Sequence, residues 1–99
     1  MKYMNDEVLA KSIKSAKLKA TPGTRSFRTA VGEALTTFVS EEYEDVKKAS
    51  ICDKGVLISF NNSPDKIIPM SFRQLKVVAT QLFGKDTDEY REFMGGSKC

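Results

Sequence analysis

Between Phe27 and Val39 the apolar residues Phe27, Val31, Ala34, Leu35, Phe38 and Val39 recur at spacings of three and four. That period puts them on one side of a helix, which the pattern predicts from about Ser26 to about Tyr43. Thr24 is a natural N-cap for it. Gly32 inside it costs about 1 kcal/mol relative to alanine. An earlier, thinner stripe, Leu9, Ile13, Ala16 and Ala20, predicts a helix over residues 6–20 with Asp6 as cap. Lys11, Lys14 and Lys17 lie on its other side. Two of the four stripe residues are alanine, so this helix is expected to dock loosely, or to order fully only on a partner. Thr21-Pro22-Gly23 separates the two helices as a turn.

From Val46 the helical period disappears. Residues 46–52 and 56–60 read as strands, with Asp53-Lys54-Gly55 as a three-residue hairpin loop carrying a bulge. Asn61-Asn62-Ser63-Pro64-Asp65 is a longer turn. Residues 66–70 read as a third strand, and Pro69 assigns it to an edge because proline has no ladder donor. Ser71-Phe72-Arg73-Gln74 is a capping box. It opens a helix with Phe72, Leu75, Val78, Ala79, Leu82 and Phe83 on its core face, closed by Gly84. A second capping signal, Asp86 to Glu89, starts a short helix carrying Tyr90, Phe93 and Met94. The expected fold is therefore α+β and two-layered: a three-stranded antiparallel sheet packed by helices, in the order α-α-β-β-β-α-α. Residues 1–94 form one domain and 95–99 a flexible tail. The aromatics Phe27, Phe38, Phe60, Phe72 and Phe83 are expected in the core, and Tyr3, Tyr43 and Tyr90 nearer the surface.

Composition adds little to the fold and more to the function. Ninety-nine residues with 40% hydrophobic and 29% charged content suit one globular domain. No apolar run approaches the ~18 residues of a membrane span. The N-terminus lacks the features of a secretory signal, so a cytoplasmic location is expected. Under that expectation, the acceptor pattern Asn61-Asn62-Ser63 is read as a chance match. There is no histidine, which removes the commonest general base and metal ligand. Cys52 and Cys99 have no metal-ligand spacing and make no disulfide framework. The expectation is a non-enzyme with no cofactor and no metal.

Charge is unevenly placed. Residues 1–32 carry seven cations against two anions, residues 33–66 four against seven, and residues 67–99 five against four. No acidic residue occurs between Val8 and Gly32. Within this stretch Lys11, Lys14, Lys17 and Lys19 lead into Thr24, Arg25, Ser26 and Arg28 at the start of the strongest helix. A helix N-terminus attracts anions, and guanidinium forks match phosphate geometry. These eight residues are the candidate site for the backbone of DNA or RNA. The segment is no P-loop, because the second glycine followed by lysine and Ser/Thr is missing. The bland alternative is a lysine-rich solvated face.

The acidic run Glu41-Glu42-Tyr43-Glu44-Asp45 lacks the spacing and the turn glycine of a calcium loop. It reads as a solvated helix end, or as a contact for a basic partner. Sheet edges add the possibility of strand pairing with another copy. A second function class is thus a protein-interaction module, a small regulator or inhibitor docking on a larger machine. The helix–strand–strand–strand–helix order from Thr24 to Phe83 resembles the double-stranded-RNA-binding domain. That family carries a basic cluster at the start of its second helix, where this chain has only Arg73 and Lys76. The whole plan also resembles small viral inhibitor proteins, some anti-CRISPR proteins among them. Many of those are acidic, and this chain is basic.

Overall fold

The computed structural model describes residues 3–95. Its elements run α1 (Asp6–Lys17), α2 (Arg25–Val39), β1 (Val46–Cys52), β2 (Gly55–Phe60), β3 (Lys66–Pro69), α3 (Phe72–Phe83) and α4 (Asp88–Met94). The order and the α+β class match the expectation from the sequence. The antiparallel sheet has the order β1-β2-β3, so β1 and β3 are its edges. Residues 96–99, most of the expected tail, lie outside the described residues.

One core joins the helices to the sheet. Leu9, Ile13 and Ala16 of α1 meet Phe27, Val31, Leu35 and Val39 of α2, Ala49, Val56 and Ile58 of the sheet, and Val78 and Leu82 of α3. The stripe of α1 is reinforced by Ser12, which is fully buried and donates its hydroxyl to the Val8 carbonyl at 2.9 Å. A hydroxyl satisfied within its own helix packs as a small residue. The helix is shorter than the sequence suggests and stops at Lys17. Its cap is Asn5, whose side chain accepts from the Glu7 and Val8 amides, and not Asp6.

Asp6 has a different task. The side chain of Gln74 donates to the Met4 carbonyl at 2.7 Å and to the Asp6 carboxylate at 2.6 Å, while its oxygen accepts from the Ser71 amide at 2.9 Å. Arg73 reaches Asp6 as well, at 3.3 Å. The capping box of α3 therefore also ties down the chain that enters α1. Met4 donates its amide to the Pro69 carbonyl at 2.8 Å, so the N-terminal segment lies against the β3 edge.

Three details differ from the sequence reading. The hairpin turn has two residues, Asp53 and Lys54, because Gly55 already pairs with Cys52. A Cβ on Gly55 would sit 2.1 Å from the Ile68 carbonyl oxygen, and its φ of 153° suits glycine. Close approach of β3 thus demands the glycine. The irregularity in the ladder lies between Val46 and Lys48, not at the turn. Phe72 is 70% exposed and Gln74 occupies the buried position instead. The three hydrogen bonds just described explain why a polar side chain holds that place.

The acidic run also has a structural member. Asp45 adopts a φ of 66°, and its carboxylate accepts from the Asn62 amide at 2.7 Å and from the Asn61 side chain at 3.1 Å. It fixes the turn between β2 and β3 against the loop after α2. Left-handed backbone is tolerated best by Asn and Asp among residues with a side chain.

Candidate functional site

The four lysines of the candidate set are all exposed. Lys11 and Lys14 project from α1 opposite its buried stripe of Leu9, Ile13 and Ala16. Lys17 ends the helix and Lys19 lies in the turn after it. Leu18, 84% exposed, stands among them. None of these lysines, nor Arg25 or Arg28, takes part in an ion pair among the described residues; the two ion pairs found are Arg73–Asp6 and Arg91–Asp88. The first turn of α2 contains no acidic residue. Among the described residues these cations therefore have no acidic partner within ion-pair distance.

The α1–α2 turn is held firmly. Gly23 donates its amide to the Gln81 carbonyl of α3 at 3.0 Å. Thr24 donates its hydroxyl to the Thr21 carbonyl at 2.7 Å and accepts from the Phe27 amide at 3.2 Å. The Thr24 hydroxyl is thereby committed to the turn and the helix cap. Its side chain shapes the corner and holds no free hydroxyl proton for an anion. Arg25 and Ser26 remain exposed at the helix start.

Arg28 departs furthest from the sequence expectation. Its guanidinium lies over the ring of Phe83, 5.2 Å from the centroid. Arg28, Gly32 and Thr36 follow one another at four-residue intervals and so share a stripe of α2. That stripe faces the free edge of β1. Thr36 bonds both main-chain groups of Ala49, and a Cβ on Gly32 would stand 3.5 Å from the Ala49 carbonyl oxygen. Arg25, seven residues before Gly32, falls on the same side. The eight residues thus divide into four lysines on α1 and its exit, Thr24 and Ser26 at the start of α2, and two arginines at the β1 side of α2.

A groove of about 790 Å³ lies between α2 and the end of β1. Its walls are Val31 and Arg28 of α2, Ser50 to Asp53 at the end of β1, Leu82 and Phe83 of α3, and Glu89, Glu92 and Phe93 of α4. A volume of this size is within the range of roughly 300–1,000 Å³ typical of ligand sites. Helix α4 has no buried residue of its own and meets α3 through Phe83 and Phe93, whose ring centroids are 5.5 Å apart. It forms an outlying wall. No sequence signal marks the groove, because it depends on where α4 stands relative to β1.

Among the described residues no group of three or more His, Cys, Asp or Glu side chains is placed to hold a metal ion. No helix of the described residues is long and apolar enough to cross a membrane. The chain matches no protein-family model, no curated protein and no solved structure.

Proposed function

We propose that the protein is a small non-catalytic accessory protein that binds the phosphate backbone of DNA or RNA. The contacts come from Lys11, Lys14, Lys17 and Lys19, joined by Arg25 and Ser26 at the start of α2. The observation that carries this reading is the exposure of these cations without an acidic partner, beside a helix N-terminus free of acidic residues. Fixed positive charge of this kind attracts a polyanion through counterion release and needs no base-specific contact. Arg28 is a lesser contributor, because its guanidinium rests on Phe83.

Binding of fluorescent duplex and single-stranded DNA and RNA, followed over a salt series, tests the proposal. Affinity should fall steeply from about 50 mM to about 200 mM salt and vary little with base sequence. Binding that ignores salt, or no binding at about 50 mM, contradicts it. A second reading, a module that docks on another protein, is favoured by one specific observation, the groove beside β1.

A further inference from the structure

The main chain at the β1 edge follows a simple parity. Thr36 reaches the Ala49 N–H and carbonyl from the side away from β2. In an antiparallel ladder, alternate residues turn their main-chain groups the same way. Ile51, two residues on, therefore presents its N–H and carbonyl to the same free edge. Ile51 lines the groove together with Arg28, Val31 and Gly32 of α2. No hydrogen bond to the Ile51 main chain from outside the sheet is found among the described residues. An unpaired edge next to apolar walls is the arrangement that accepts an added strand.

The groove also selects by charge. The half-buried Ile51, Phe83 and Phe93 supply apolar surface. Two exposed carboxylates, Glu89 and Glu92, line it against the single guanidinium of Arg28, which is stacked on Phe83. Glu89 and Glu92 are exposed and lie outside both ion pairs. Excess negative charge repels phosphate and favours a basic side chain at the mouth. Because Thr36 occupies the edge at Ala49, only a short pairing centred on Ile51 is open, and a long ladder with a second copy is blocked like any other.

We infer that this groove takes an extended segment of a partner protein, pairing with the Ile51 main chain and carrying an apolar residue flanked by lysine or arginine. The site is separate from the lysines of α1, so it stands or falls apart from nucleic-acid binding.

The test is amide chemical-shift mapping of the full chain, titrated with a capped seven-residue peptide of alternating valine and lysine. Three controls accompany it: the same peptide with glutamate for lysine, the same peptide N-methylated on alternate amides, and a single-stranded oligoribonucleotide. The expected result is perturbation centred on Ile51, Gly32 and Phe93, with binding lost on N-methylation. The glutamate peptide should bind at least about tenfold more weakly. The double substitution Glu89→Lys with Glu92→Lys, both at exposed positions, should invert the preference between the two peptides. No perturbation at Ile51 up to millimolar peptide, equal binding of the N-methylated peptide, or oligoribonucleotide shifts at these same residues would overturn the inference.

Discussion

Thr36 of α2 holds the edge of the sheet through Ala49. Its hydroxyl oxygen accepts from the Ala49 amide at 2.9 Å, and its proton is shared between the Gly32 carbonyl at 2.7 Å and the Ala49 carbonyl at 3.4 Å. One side chain so satisfies an edge position that is 3% exposed. Replacing it by Thr36→Val keeps the shape and strands a buried N–H, which should cost about 1–3 kcal/mol. Thr36→Ser, which keeps the hydroxyl, should cost less. Urea denaturation of the two variants checks this, and equal stabilities would remove the bond from the account.

The two glycines near this edge should respond in opposite directions. At Gly32 a Cβ would meet only the Ala49 carbonyl oxygen at an ordinary 3.5 Å. Gly32→Ala should therefore stabilise the protein by about 0.5–1 kcal/mol through helix propensity. At Gly55 the Cβ would overlap the Ile68 carbonyl, so Gly55→Ala should destabilise by at least about 2 kcal/mol. Thermal melts of both variants provide the comparison.

Much of the fold was legible because local signals agreed with one another. The period in α2, the Ser71–Gln74 box and the Gly84 stop each specified an element with a physical reason, and the structure contains all three. Phe72 misled because periodicity counts any aromatic near an apolar face as core. It occupies the first residue of α3, where the buried place is taken by Gln74 for its hydrogen bonds. The hairpin misled by one residue, because the need for glycine at position 55 comes from β3 and not from the turn itself. Of the candidate site, the exposure of the lysines followed from helical spacing. The diversion of Arg28 to Phe83 joins residues 55 apart in sequence, and no local pattern encodes it.

Gln74 links three segments, and its loss should be felt in all of them. Gln74→Glu keeps an acceptor for the Ser71 amide but has no donor for the Met4 carbonyl, and it places a second carboxylate beside Asp6. It should destabilise by about 2–4 kcal/mol, and part of that loss should be recovered by Asp6→Asn. Hydrogen exchange should show the loss first at the amides near the start of α1, including Met4 where it meets Pro69. A uniform effect with no rescue would place the role of Gln74 in packing alone.

Lys11, Lys14, Lys17 and Lys19 of α1 and its exit are the proposed phosphate contacts. Neutralising Lys11, Lys14, Lys17 and Lys19 together, each to glutamine, changes exposed side chains and should leave the thermal midpoint nearly unchanged. The deciding measurement is the slope of log affinity against log salt for duplex DNA, wild type against this variant. If each lysine faces one phosphate, the slope should become shallower by about 3.6, four contacts at about 0.9 each. An unchanged slope would contradict the claim that these residues meet the nucleic-acid backbone.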